Sequence, residues 1–178
     1  MSSRLRNILR AIQGKPLELS VVTNNDYSVE CVGADGKVKW VDGFRNIVVT
    51  TGLNKYLDAT IKTGLASPAW YVALKGTGSI IAADTMASHG GWTTLSNYSN
   101  ATNPAYTTGT ISAGSVSNTA SKAVFTINGS ATVAGAFMCD NSAVGGATGI
   151  LFGGGDFGTP RAVISGDTLN VTITCSLT

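Results

Sequence analysis

The closing run of the chain, DTLNVTITCSLT (167–178), alternates apolar and polar residues more strictly than any other segment. Leu169, Val171, Ile173, Cys175 and Leu177 occupy every second position, and the residues between them are Asn, Thr or Ser. Successive side chains of a β-strand point to opposite faces, so this spacing predicts a strand over 168–177. One of its faces should lie in a core, and the other should face solvent or a neighbour.

Short segments of β-type sequence, separated by Gly, Ser and Asn turns, occupy most of the remaining chain. Turn signals about every 8–12 residues indicate an antiparallel β-sandwich or a jelly roll, so the predicted fold class is mainly β. Asp35-Gly36 is a strong hairpin signal between the second and third segments. The predicted strands cover 17–22, 27–32, 37–41, 44–49, 69–74, 92–99, 105–111, 122–127, 131–139 and 149–152, followed by 168–177.

Residues 1–15 are predicted to form a basic amphipathic helix, which we call the N-terminal arm, ahead of a β-rich domain over 16–178. Ser3 can cap this helix and Pro16 stops it. Its apolar residues recur at i, i+3, i+4 and i+7, and its arginines lie on the far side or the flank. Such a helix docks in a groove of another chain, lies on nucleic acid or an anionic membrane, or packs on its own domain with a solvated basic face, and membrane binding has the least support. The predicted partner-binding residues are Arg4, Leu5, Arg6, Ile8, Leu9, Arg10 and Ile12.

A second, shorter helix is predicted near 51–62. Thr50 or Thr51 can cap it, and Gly64 ends it. Leu53, Tyr56, Leu57 and Ile61 share one face of this helix. An apolar turn over 86–89, capped by Asp84, is also expected.

Charged residues make up 12% of the chain, about half the usual share, and they are unevenly placed. Residues 63–178 hold three of the twelve Lys and Arg and four of the ten acids. A surface this neutral is unusual for a free monomer and suits a protein packed against copies of itself or a partner. The sequence therefore predicts a homo-oligomer.

Neither a membrane-spanning run nor a signal peptide is apparent in the sequence, so we expect no membrane partner and synthesis in a reducing cytoplasm. Cys31, Cys139 and Cys175 are odd in number and far apart, so they fit neither a disulfide framework nor a metal site. Cys175 is best explained as a small buried hydrophobe.

The stretch Gly153-Gly154-Gly155-Asp156-Phe157-Gly158 matches the G-x-G-x-x-G pattern of a dinucleotide-binding loop. That function requires a helix after the glycines, whereas Thr159-Pro160 and a β-branched pair follow. We therefore expect no nucleotide, and a glycine-rich loop between two strands instead. Lys75-Gly76-Thr77-Gly78 likewise lacks the helix and the G-K-[ST] sequence of a phosphate-binding loop.

Catalytic chemistry has little support in the sequence. His89 is the only histidine, and Ser88 and Asp84 beside it do not make a triad by proximity in sequence. We expect His89 to close a turn, and we predict no enzyme, catalytic residue, metal or cofactor. Trp40, Trp70 and Trp92 could stack on sugars, but each lies in or beside an apolar strand, which favours packing in a core or interface.

From about residue 40 to the end, the chain resembles a family of small virion-associated proteins of tailed bacteriophages. The resemblance covers about three quarters of the chain and begins with FRNIVVTTGLNKYLDA and WYVALKGTG. It continues through AADTMASHGGWTTLSNYS, SVSNTASKAVFTINGSATVAGAFM, GGATGILFGGGDF and VISGDTLNVTITCSLT. The family generally shows an Asn-rich helix start, an exposed-loop ADTM segment and a closing GDTL strand. The N-terminal arm falls outside the matched stretch.

The resemblance implies a structural component of the virion, assembled in the host cytoplasm. The leading hypothesis is a capsid decoration, or cement, protein that binds the major capsid protein and copies of itself. The alternatives are a neck or tail adaptor packed beneath the portal and, with less support, a receptor-binding or glycan-binding module. Direct binding to nucleic acid is not expected.

Overall fold

A computed structural model describes residues 22–62 and 66–177 of the chain. The described part is mainly β, with 45% of residues in strands and 7% in helix, and it forms two antiparallel sheets packed as a β-sandwich. The predicted fold class is therefore confirmed. The N-terminal arm and the predicted strand over 17–22 lie outside the described residues, apart from Val22.

The first sheet contains five strands in the order β2-β1-β9-β5, with β6 also paired to β9. β1 and β9 pair along their whole length, from Thr23 opposite Leu177 to Val32 opposite Thr168. β5 and β6 share the other edge of β9, which makes β9 the centre of this sheet. Its strands are β1 (Thr23–Val32), β2 (Val38–Arg45), β5 (Ser115–Ser117), β6 (Ala123–Thr126) and β9 (Thr168–Leu177).

The second sheet contains four strands in the order β3-β8-β7-β4. Its strands are β3 (Ile47–Val48), β4 (Tyr71–Lys75), β7 (Ala131–Cys139) and β8 (Leu151–Val163). The single described helix, α1 (Thr50–Thr60), follows β3 directly and packs on β8.

The main core fills the space between the two sheets. The alternating residues of β9 confirm the sequence prediction, because Leu169, Val171 and Ile173 are fully buried in it. A second core lies on the far face of the second sheet, where the segment after β4 folds back over the strands. Its members are Val49, Ala73, Ile80, Met86, Trp92, Phe137, Cys139 and Leu151. The second sheet is thus covered on both faces, which explains why β7 is buried almost continuously.

Several sequence predictions are wrong in detail. The segments over 92–99 and 105–111 are not strands, because their pairing with the sheets is limited to isolated bridges such as Lys75 to Thr94 and Tyr71 to Ala105. β5 was not predicted. The run over 44–49 divides between the end of β2 and the short β3.

The glycine-rich stretch is not a loop, since it is the interior of β8. Gly154 lies between neighbouring strands, and a Cβ atom there would come within 2.6 Å of the Ala136 carbonyl oxygen and of Phe137 Cβ. The glycines therefore allow strands and side chains to approach closely, and they form no loop that could hold a phosphate.

The ADTM segment also differs from expectation. Asp84 and Met86 are buried rather than displayed on an exposed loop. Asp84 Oδ2 accepts hydrogen bonds from the Ile81 backbone N–H and from the Trp92 indole N–H, both at 2.9 Å, so it ties the loop to the second core instead of capping a turn. His89 does close a turn, in which its carbonyl accepts the Trp92 N–H at 3.3 Å.

Candidate interaction surface

Helix α1 is held by its first residues to the second sheet and to the loop after β4. The hydroxyl of Thr50 donates to the Ala82 carbonyl at 2.9 Å, and that of Thr51 donates to the Leu151 carbonyl at 2.7 Å. Neither threonine caps the helix as predicted, because both lie inside it and Val49 is the N-cap residue. Gly52 is the buried contact point, where any side chain would collide with the Phe152 carbonyl oxygen.

The face of α1 opposite this contact is apolar and exposed. Leu53, Leu57 and Ile61 lie at i, i+4 and i+8, and they are 42%, 56% and 75% exposed. We call these three residues the α1 stripe. Tyr56, which the sequence placed on the same face, turns instead toward the sandwich. A continuous apolar row on a helix surface is typical of a contact with another protein.

Beside α1 runs a groove at the open end of the sandwich. It consists of two adjoining cavities of about 450 Å³ and about 220 Å³. Both cavities are lined by Tyr56, Ile111, Val116, Phe152 and Cys175. We call them together the α1 groove. Its size is in the range of ligand-binding and peptide-binding sites.

The larger cavity has aromatic walls held in fixed orientations. Trp70 packs edge to face against Phe152, with ring centroids 5.1 Å apart, and its indole N–H donates to Ser67 Oγ at 3.2 Å. The Tyr106 hydroxyl lies 3.3 Å from the Ile173 carbonyl oxygen and 3.5 Å from Cys175 Sγ. Burial, with a smaller effect of Cys175, raises the pKa of Tyr106 well above its ordinary value. This hydroxyl therefore remains a neutral donor at any physiological pH.

Asn25 lines the smaller cavity from β1, opposite Cys175 in the register of β9, and is only 2% exposed. Its Nδ2 atom is buried and donates to no acceptor among the described residues. An unpaired buried donor costs about 1–3 kcal/mol of stability.

The electrostatic character of the groove is nearly neutral. Lys55 is the only charged residue that lines either cavity in the described part of the chain. The groove therefore selects against buried charge and in favour of apolar groups with a few hydrogen-bond acceptors.

A separate polar cluster on the far face of the second sheet unites two of the motifs from the sequence. Lys75 is fully buried, and its ammonium donates to the carbonyls of Gly76 and Gly78 and to the Asp156 carboxylate. Trp92 lies beside the ammonium, with the ring centroid 5.9 Å from Nζ. Every donor of Lys75 has a partner, so this arrangement is a closed structural cluster and not an open site.

Most charged residues between positions 66 and 177 form ion pairs or are buried. Four of them belong to three ion pairs: Lys75 with Asp156, Arg161 with Asp42 at 2.6 Å, and Asp167 with Lys39 at 2.7 Å. Asp84 is buried, and Asp140 accepts the Ile150 N–H at 2.6 Å. Between residues 66 and 177, this leaves Lys122 as the exposed charged side chain without an ion pair.

The predicted functional residues have mixed outcomes. The arm residues Arg4, Leu5, Arg6, Ile8, Leu9, Arg10 and Ile12 lie outside the described part. Of the three tryptophans, Trp92 is buried in the second core, Trp40 packs against the main core, and Trp70 faces the groove. Cys175 is only half-buried and lines the groove. No sequence pattern indicates Asn25 or Ile111 as groove residues, because the groove joins segments that are far apart in the chain.

Over residues 22–62 and 66–177, the structure contains no helix long and apolar enough to cross a membrane. The same part of the chain contains no group of three or more His, Cys, Asp and Glu side chains placed to hold a metal ion. Comparison with protein-family models, with curated proteins and with solved structures finds no match to this chain.

Proposed function

We propose that this protein is a structural component of a tailed-phage virion, and most specifically a capsid decoration protein that binds the head shell and copies of itself. The phage assignment rests on the sequence resemblance described above. The assembly role is supported chiefly by one structural observation, the exposed α1 stripe on a fold whose remaining surface carries few free charges.

The exposed apolar area of the stripe favours an assembled state over a free monomer. Three large apolar side chains in one row gain free energy when another protein removes them from water, about 25 cal/mol for each Å² of apolar area. The charged residues beside the stripe, Asp58 and Lys62, form an ion pair at 3.1 Å, so neither presents an unpaired charge to such a contact. We propose that the N-terminal arm provides a second contact, with another chain of the particle.

The test compares two variants on particles of the phage that encodes this chain. Mass spectrometry of purified virions should detect the protein, and heads lacking it should bind the added protein. We expect Leu57→Glu to abolish that binding, because a carboxylate would then have to be desolvated in the contact. Ile164→Glu is the matched control, since Ile164 is 55% exposed against 56% for Leu57 but lies in the turn before β9. It should bind as wild type does.

Particle images separate the decoration role from the alternative. Protein distributed over the head shell supports decoration, whereas protein confined to the vertex that carries the tail would identify a neck or tail adaptor. Absence from purified particles would contradict both, and normal head binding by Leu57→Glu would exclude the α1 stripe as the contact.

A further inference from the structure

The α1 groove lies at the N-terminal end of β1. Thr23, the first residue of β1, lines the smaller cavity, so the point from which the preceding chain is attached lies at the rim of the groove. The groove is open, apolar and aromatic. A segment that fills it must bring apolar side chains.

The arm has the pattern that fits such a groove. Leu5, Ile8, Leu9 and Ile12 are spaced i, i+3, i+4 and i+7, which is the spacing of the anchors by which a helix enters an apolar groove. The arginines lie away from this apolar row, so they would stay in solvent.

We infer that the α1 groove receives the N-terminal arm of a neighbouring copy, an inference that rests on the proposed packing of copies against one another. The sequence over 17–22, LELSVV, is β-type and leads directly into β1. Six residues span at most about 20 Å when fully extended, which is long enough to bridge to an adjacent molecule. A neighbouring copy is preferred to the same molecule because a described surface with few unpaired charges favours the packing of copies.

The experiment uses the full chain and two variants that disable opposite sides of the contact. The double variant Ile8→Asp, Leu9→Asp removes the arm anchors and leaves the groove intact. Ile111→Glu places a charge in the groove at a side chain that is exposed and lines both cavities, so the fold should tolerate it. Circular dichroism checks that each protein is folded, and Ile164→Glu serves again as the control for an added surface charge.

Sedimentation velocity gives the result. Wild type and Ile164→Glu should self-associate with rising concentration, and each disabled variant should associate at least about tenfold more weakly. A mixture of the two disabled variants should form one-to-one pairs, because one supplies an intact arm and the other an intact groove. Monomeric wild type at about 100 μM would overturn the inference.

Two further outcomes also overturn it. A mixture that stays monomeric would show that the arm does not bind the groove of another copy. Binding of the arm to the groove of its own molecule would give this result. Unchanged association of Ile111→Glu would place the contact elsewhere, for example on the α1 stripe. None of these sedimentation measurements uses phage particles. Their failure would therefore overturn the arm–groove contact without bearing on the virion role. Absence of the protein from virions would overturn the virion role without bearing on the arm–groove contact.

Discussion

At the scale of single residues, Lys75 shows how this fold accommodates a charge in its interior. It ends β4 on the covered face of the second sheet, and across β7 it meets Asp156 of β8. Two backbone carbonyls complete its hydrogen bonds. The Asp156 side chain is 31% exposed, whereas that of Lys75 is not exposed at all. Water can therefore hydrate the carboxylate if the ammonium is removed, but it cannot hydrate the ammonium if the carboxylate is removed.

This difference in exposure predicts that removal of Asp156 lowers the free energy of unfolding more than removal of Lys75. Asp156→Ala leaves a buried ammonium without its counter-ion and should lower the free energy of unfolding by about 3 kcal/mol. Lys75→Met should cost less, because the remaining carboxylate can be hydrated. Urea denaturation measures both, with Lys122→Met as a surface control expected within about 0.5 kcal/mol of wild type. Equal losses for the two core variants would contradict this description.

Asp167 predicts a dependence of stability on pH. Burial acts to raise its pKa, but hydrogen bonds from Lys39 Nζ at 2.7 Å and from the Ile164 N–H at 3.0 Å outweigh burial, so the pKa is lowered. A carboxylate with a lowered folded-state pKa contributes stability above its unfolded-state pKa and loses it as the pH falls through the folded-state value. The urea midpoint should therefore fall as the pH drops below about 4.

Two variants test the origin of that pH dependence. Asp167→Asn and Lys39→Met should each be less stable than wild type at neutral pH, and each should lose less further stability on acidification. If the urea midpoint of either variant fell with pH as steeply as that of wild type, other carboxylates would dominate the pH dependence below about 4.

At the scale of elements, β9 organises the first sheet because it pairs on both edges. β1 covers one edge, and β5 and β6 share the other. Its apolar side chains enter the main core, and its polar ones, such as Thr172 opposite Ser28, lie on the outer face.

Neighbouring substitutions in β9 should therefore have very different effects. Ile173→Asp would bury an unpaired carboxylate at a fully buried position and should cost several kcal/mol, a large part of a typical stability of 5–15 kcal/mol. Thr172→Asp points to the opposite face and should leave the protein folded, with a loss of about 1 kcal/mol or less. Circular dichroism during thermal unfolding measures both. A well-folded Ile173→Asp protein would contradict the position of β9 in the core.

In helix α1, Gly52 determines which face of the helix is buried. Only glycine fits at position 52 against the Phe152 carbonyl oxygen, and this contact turns the α1 stripe to solvent. Helical periodicity alone would favour burying the three apolar residues of the stripe.

At the scale of the whole molecule, the described core is contained well inside the chain. The buried apolar residues of the described part run from Tyr27 to Ile173, and the strands of its two sheets lie between Thr23 and Leu177.

Deletion of residues 2–14 should therefore separate folding from assembly. We expect the far-UV circular dichroism of the β-sandwich and its thermal midpoint to stay close to wild type, and incorporation into particles to be lost. Normal incorporation of the truncated protein would contradict the proposed role of the arm. A truncated protein that unfolds would instead make the arm a part of the fold.

The sequence by itself determined the fold class and the most regular elements. The period-two pattern over 168–177 identified β9, its buried face and its polar face, because alternation of side chains is a local property of an extended chain. The bounds of β7 and the existence of α1 were likewise predicted from residues that are adjacent in sequence.

Only the tertiary structure decided which of these elements meet and where a surface stays open. The glycine-rich stretch became the interior of β8 because its neighbours Ile47, Ala136 and Phe44 approach it from other strands. The α1 groove exists because Asn25, Ile111 and Cys175 converge from three separate segments. Residues so distant in sequence leave no local period, and their convergence depends on strand pairing, which is fixed only when the whole sandwich packs.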